Sequence, residues 1–406
     1  MPTLQVALDL MQLNRAIIIA REAVEGGVDW IEAGTPLIKS EGAEAVRTLR
    51  REFPGKKIIA DTKTMDTGSF EVEVMAKAGA DIVTVLGLDD ATIEEAVMAG
   101  RKYGAEVMVD MINVPDRVER AKRVEALGAS YICMHMGIDT QMRGEEPPID
   151  VLKKIVDAVS IPVAVAGGIT AENAGDYVEA GASDVIVGGA IIKTDNITAA
   201  AQDIKKSMSG AKVDTNLAKK YSEENLFEAF GRVSTCNISD AFHKQGVMFG
   251  ILPQSLAHRQ RMVGRALTVQ TTSGDWAKPV EAIDRAKEGD VLVVDVGGAP
   301  VAVWGELATH SAMVMGVKGI VIDGAIRDDI RGLGFPAFSR TVAPCAGEPK
   351  GYGGIGIEVT VGGQRVRTGD WIVGDECGLV VIPKEVAVEV ANRALDVHER
   401  ENRTRE

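Results

Sequence analysis

Cysteine is scarce in this 406-residue sequence, and its four copies (Cys133, Cys236, Cys345 and Cys377) are scattered with no C-x-x-C pair. That pattern fits a reducing cytosol and no structural zinc site. Basic residues are also in deficit, with 45 Lys and Arg against 59 Asp and Glu and a net charge of −14. Such a balance argues against a nucleic-acid backbone as the main partner, so any anionic ligand must be held locally by helix N-termini, backbone amides or single cations. No apolar run approaches the roughly 20 residues of a membrane helix, and no membrane partner is expected. The opening MPTLQVALDL has neither a basic n-region nor an apolar h-region. No signal peptide is therefore expected, and the expected location is the cytoplasm.

What the sequence does have is hydrophobic content of 46% and enough length for two cores. Through the first half, short apolar runs recur about every 25 residues, each followed by a helical pattern: LQVALD (4–9), DWIEAG (29–34), KIIADTK (57–63), DIVTVLG (81–87), EVMVDM (106–111), YICMHMG (131–137), PVAVAGG (162–168) and DVIVGGA (184–190). Near-continuous apolar strands alternating with helices indicate a parallel sheet covered on both faces. Eight such units, with no G-x-G-x-x-G after the first strand, predict a (β/α)8 TIM barrel over residues 1–208 rather than an open doubly wound sheet.

A barrel concentrates function at the C-terminal ends of its strands. Strand one ends in Asp9, strand two carries Glu32, strand three delivers Asp61 and Lys63, and strand six ends near His135. One carboxylate at a strand end is more often a turn or helix cap than a catalyst. Convergence on one rim favours a site. Gly167-Gly168 and Gly188-Gly189 follow strands seven and eight, where small residues let backbone amides approach a phosphate; two tight turns are the plainer alternative. Glu32 and Asp61 are candidates to share a hard divalent cation such as Mg²⁺. Lys63 and that cation would stabilise a developing enediolate, and His135 suits proton transfer at carbon.

The combination VALD (6–9), IEAGTPLIKSEG (31–42), ADTKTMD (60–66), HMGIDTQ (135–141), AGGI (166–169) and VGGAI (187–191) resembles the 3-hexulose-6-phosphate synthase family of the orotidine-monophosphate-decarboxylase suprafamily. The resemblance implies a reversible, Mg²⁺-dependent aldol condensation of formaldehyde with ribulose 5-phosphate to hexulose 6-phosphate. By that resemblance Glu32 and Asp61 hold the metal, while Lys63 and His135 are catalytic along with Asp9. Asp66 would reach into a partner subunit's site. The rival branch, 3-keto-gulonate-6-phosphate decarboxylase, typically has arginine three places after the histidine. This sequence has Ile138 there.

Past residue 208 the rhythm stops. Residues 209–221 read as a linker, and an amphipathic helix is expected from about Ser222. The runs GRALTVQT (264–271), GDVLVVDVGG (289–298), GIVIDGAIRD (319–328) and GDWIVGDECGLVVIP (369–383) then predict a strand-dominated α+β domain, of layered αββα type, over 222–406. Within it, Gly305, Glu306 and Leu307 open a helix whose amides would be free for a carboxylate, and Arg327-Asp328 ends a strand. Arginine grips carboxylates in bidentate fashion and aspartate can take a divalent cation; a helix start with a surface ion pair is the plainer reading.

This half resembles the RraA-like family, which includes a ribonuclease E regulator and divalent-metal aldolases of 4-hydroxy-4-methyl-2-oxoglutarate. The resemblance implies that Arg327 binds a pyruvate-type enolate, Asp328 the metal, and Glu306 a metal-bound water, although aspartate commonly stands where this chain has Glu306. Three readings follow: a metal-dependent aldolase or decarboxylase of 2-oxo acids, a protein-binding regulator of RNA processing, or an assembly module. Relatives of both halves are usually oligomers, so a homo-oligomer is expected.

Overall fold

The computed structural model describes residues 2–143, 147–194, 196–213 and 221–405, and divides the chain into two compact units, Met1–Gln141 with Glu145–Lys219 and Met142–Gly144 with Lys220–Glu406. Most of the expected linker, 214–220, lies outside the described residues. Among the described residues no helix is long and apolar enough to cross a membrane.

Eight parallel strands close the first unit into a barrel in chain order: β1 (Thr3–Leu8), β2 (Trp30–Ala33), β3 (Lys57–Thr64), β4 (Ile82–Leu86), β5 (Glu106–Asp110), β6 (Tyr131–His135), β7 (Val163–Ala166) and β8 (Asp184–Val187), with β8 pairing back to β1. The two-residue period of a strand sorts its side chains. Leu4, Val6 and Leu8 of β1 join the large core between sheet and helices, while Ala7 joins Ile59, Ile82, Met108, Cys133, Ala164, Ala166 and Ile186 inside the barrel. Two residues further along the same parity come Asp9, Asp61, Thr84, Asp110, His135 and Gly188. The apolar plug is thus capped at its C-terminal end by a polar layer, and nothing but the strand period is needed to place it there.

The second unit is built on one mixed sheet. Its strands are β9 (Val247–Met248), β10 (Leu252–Ser255), β11 (Met262–Gln270), β12 (Asp290–Asp295), β13 (Gly319–Ile326), β14 (Ala337–Val342), β15 (Gly354–Ile355), β16 (Val359–Val361), β17 (Gln364–Val366), β18 (Trp371–Asp375) and β19 (Gly378–Ile382). The order is β10-β14-β13-β12-β11-β18-β19-β9, with β15 on β11 and a separate β16-β17 hairpin. Strands β11 to β14 run parallel, and helices at Ala277–Arg285 and Glu306–Val314 make the first two crossovers. Local connectivity here is βαβ although the whole sheet is mixed. Strand parity again divides the core: Leu292, Val294, Ile320 and Ile322 pack with those helices, whereas Val291, Val293 and Val321 pack with the β16-β17 hairpin. The expected helix after Ser222 is a 3-10 turn, Glu223–Asn225, running into Leu226–Arg232.

Candidate active site

At the barrel mouth the structure brings Glu32, Asp61, Lys63 and His135 together, with Asp9 at the rim. Glu32, Asp61 and Asp110 are each no more than 6% exposed. Lys63 Nζ lies 3.0 Å from Asp61 Oδ2 and 3.0 Å from Asp110 Oδ2. His135 Nδ1 lies 2.7 Å from the same Asp110 oxygen. Asp61 also accepts hydrogen bonds from the hydroxyls of Thr84 in β4 and Thr35 at the start of the helix after β2, each at 2.7 Å, so its carboxylate is held from both neighbouring strands' sides. Gln5 Nε2 donates to Glu32.

Lys63 reaches this position through a bulge. The β3-β4 register shifts between the pairs Ala60–Val83 and Thr64–Val85, and Lys63 has a left-handed φ of 49°. Non-glycine residues adopt that conformation only where the surroundings enforce it, and it recurs at functional sites. Burial opposes the Lys63 ammonium, but the charges of Asp61 and Asp110 outweigh it and hold the group above its ordinary range. Burial likewise works against Asp110, yet His135 and Lys63 bring its carboxyl down to about 2. Glu32 goes the other way: burial first, then the negative charges of Asp61 and Asp9, raise its carboxyl well above normal. Asp9 is open to the mouth, and desolvation by the surrounding walls followed by the charge of Asp61 raises it as well.

These directions test the fit of a divalent cation. Four carboxylates (Asp9, Glu32, Asp61 and Asp110) surround one ammonium here, and Glu32 is left in the state that a positive charge would correct. Among the described residues no group of three His, Cys, Asp or Glu side chains encloses a metal position. A cation held by Glu32 and Asp61 alone suits Mg²⁺, which keeps several waters for substrate oxygens to replace.

Asp110 is the residue that the sequence reading missed. The signal was present, since Asp110 ends β5 as Asp61 and His135 stand near the ends of β3 and β6, but no motif singled it out. Asp66 does not join the cluster within one chain; it is exposed, and its Oδ1 accepts the Thr67 N–H at 2.8 Å. Of the four glycines, Gly167 and Gly168 hold a backbone that a side chain would strain. Gly167 and Gly168 have φ of +98° and +74°, and a Cβ on Gly167 would lie 2.3 Å from the Met136 carbonyl oxygen. A Cβ on Gly188 would press on Asp9 Oδ2 at 3.3 Å, and Gly189 begins a one-turn helix, Gly189–Ile192.

In the second unit Arg327 and Asp328 do meet the start of the Glu306–Val314 helix, but not as expected. The carboxylate at the Glu306 N–H is that of Asp328 itself, at 3.1 Å, so this amide is not free for a ligand. The other Asp328 oxygen accepts from Arg327 Nε at 3.2 Å. Asp328 holds a left-handed φ of 67°, and Gly305 leaves room for it: a Cβ there would sit 2.4 Å from Asp328 Oδ2. The Glu306 carboxylate turns to His310, 3.8 Å away. Asp328 is thus turned to the Glu306 N–H and to Arg327 while the Glu306 carboxylate turns to His310, and no step is assigned through a metal here. Arg327 keeps 44% of its side chain exposed.

A closed parallel barrel whose C-terminal mouth carries a buried acid, lysine and histidine cluster defines a TIM-barrel enzyme. Known proteins agree and are more particular. A family model described as "Orotidine 5'-phosphate decarboxylase / HUMPS family" matches residues 2–204, and the chain belongs to that family; an RraA-like model, "Aldolase/RraA", matches residues 235–381. The 3-hexulose-6-phosphate synthase of Bacillus subtilis is 41% identical over 205 residues, which are 50% of this chain and 97% of that protein. The synthase of Methylomonas aminofaciens is 41% identical over 201 residues, covering 49% and 96%. That of Mycobacterium gastri is 39% identical over 209 residues, covering 51% and 99%. These relatives are enzymes, and each corresponds to the barrel alone.

Proposed function

We propose that the barrel catalyses the reversible aldol condensation of formaldehyde with ribulose 5-phosphate to D-arabino-3-hexulose 6-phosphate. The observation that carries this reading is the contact chain from Lys63 through Asp110 to His135, set beside Glu32 and Asp61. Because Asp110 is held as a carboxylate, His135 Nδ1 presents a proton to it and Nε2 is left as the base. His135 would take a proton from the first carbon of the sugar, and the resulting carbanion would bond to formaldehyde's carbon. The new alkoxide then gains a proton. Lys63 faces the enediolate with an ammonium that two carboxylates keep charged. A divalent cation held by Glu32 and Asp61 would add positive charge at the enediolate oxygens. Gly167, Gly168, Gly188 and Gly189 would let backbone amides approach the sugar's phosphate. Ile138 is exposed and carries no charge, which supports the synthase over the gulonate decarboxylase.

For the second unit the reading is a site for a 2-oxo acid at Arg327, whose exposed guanidinium suits a carboxylate. Ribonuclease regulation or assembly is the competing role. The cytoplasm and a homo-oligomeric state belong to the same proposal. The test is formaldehyde consumption with ribulose 5-phosphate and Mg²⁺, with and without a chelator, beside decarboxylation of 3-keto-gulonate 6-phosphate. Chelator-sensitive formaldehyde loss without decarboxylation supports the synthase, and the reverse result assigns the barrel to the rival branch.

A further inference from the structure

The fold of the second unit joins two cysteines that lie far apart in the sequence. Cys236 stands in the first turn of the helix Thr235–Ala241, and Cys377 in the two-residue turn between β18 and β19. One buried carboxylate fixes both segments. Asp375 Oδ2 accepts the Thr235 N–H at 2.8 Å, while its Oδ1 accepts the Thr235 hydroxyl at 2.6 Å and the Cys377 N–H at 2.9 Å. Held in this way, the Cys236 and Cys377 side chains are close enough to interact, and both residues are exposed to solvent. A buried thiol pair is inert packing; an exposed pair fixed in contact is a site for thiol exchange.

We infer that Cys236 and Cys377 form an oxidisable thiol pair, which a low-molecular-weight disulfide such as oxidised glutathione converts to an intramolecular disulfide. In the first step the thiolate of one cysteine of the pair attacks one sulfur of glutathione disulfide; the sulfur–sulfur bond breaks and one glutathione leaves as thiolate. The other cysteine then loses its proton to water and attacks the sulfur that carries the glutathione, expelling it as the second thiolate. The pair gives up two electrons and two protons, and one glutathione disulfide becomes two glutathione thiols. Partial desolvation and the Cys377 sulfur push the Cys236 thiol up to about 11. The bond would tie the helix Thr235–Ala241 to the β18-β19 edge of the sheet, closing a loop that contains most of the unit. Cross-links of that span stabilise the folded chain against the unfolded one.

Two internal controls exist: Cys345 is exposed but placed elsewhere, and Cys133 is buried in the barrel. The experiment incubates the full-length protein with oxidised glutathione, quenches in acid, denatures, alkylates and maps the peptides by mass. The expected result is one cross-linked species containing Cys236 and Cys377, lighter than the two peptides by two hydrogens and reversed by dithiothreitol. Cys133 remains alkylatable, and the oxidised protein melts at higher temperature. Cys236→Ser should arrest the reaction as a glutathione adduct on Cys377. A persistent adduct on Cys377 in the unsubstituted protein overturns the inference. So does full alkylation of both cysteines under conditions that oxidise Cys345.

Discussion

Asp110 Oδ2 stands 2.7 Å from His135 Nδ1 and takes the Lys63 ammonium on the same oxygen. One buried carboxylate therefore faces both the imidazole proposed as the base and the Lys63 ammonium. Replacing Asp110 by Asn leaves the volume but lets the imidazole choose its tautomer and removes a charge beside Lys63. The expected outcome is a fall of about a hundredfold or more in kcat for formaldehyde consumption, with far-UV circular dichroism unchanged. Activity within twofold of the parent would remove Asp110 from the site.

Asp61→Ala should abolish the chelator-sensitive reaction while the barrel stays folded, because residues at the C-terminal rim contribute to chemistry more than to core packing. The paired measurement is thermal melting with activity. A variant that still condenses formaldehyde at the parent rate, and still loses activity to a chelator, would mean that the cation is held elsewhere.

Gly167→Ala forces a side chain into a backbone with φ of +98° and against the Met136 oxygen 2.3 Å away. A loss of about 1–3 kcal/mol in denaturant stability is expected. The KM for ribulose 5-phosphate should rise, since this turn is proposed to bring backbone amides to the phosphate. An unchanged KM would leave Gly167 with a purely steric role.

Arg327→Ala should abolish any oxaloacetate decarboxylation by the second unit and leave condensation intact. Equal damage to both activities would contradict independent sites. Parent-level decarboxylation in the variant would refute the carboxylate grip.

Asp184 offers a pH test remote from the mouth. It begins β8, accepts the Thr3 hydroxyl at 2.6 Å on one oxygen and buries the other without a partner. Burial pushes its carboxyl from an ordinary 3.8 up to about 7. The folded state thus binds a proton that the unfolded state has released. Its stabilising contribution is complete below about pH 3.8 and is lost as pH rises through about 7, at no more than about 1.4 kcal/mol per pH unit. Asp184→Asn should flatten this slope between pH 5 and 7 in urea titrations. Parallel curves for parent and variant would show that Asp184 does not carry the proton.

The barrel was legible because each of its strands announces itself locally: a near-continuous apolar run, whose side chains alternate between faces at the strand period of two, followed by a helical period, repeated eight times. The same period places Asp9, Asp61 and His135 on the interior parity without knowledge of any contact. Asp110 shared that parity, but its importance lies in whom it touches, and Lys63 and His135 reach it only when β3, β5 and β6 are bent into a closed barrel. The bulge that turns Lys63 back toward Asp61 is likewise a register shift between two strands, which neither strand encodes alone. In the second unit the strands were readable, whereas their order was not, since a mixed sheet permits many orders for the same runs. Tertiary structure alone decided that Asp328 would occupy the Glu306 amide, and that Asp375 would bring Cys236 to Cys377. The sequence by itself determined periodicity, parity and the chemistry available at strand ends, because these are local properties of the backbone. Contacts between distant residues waited for the fold, because they depend on register and closure.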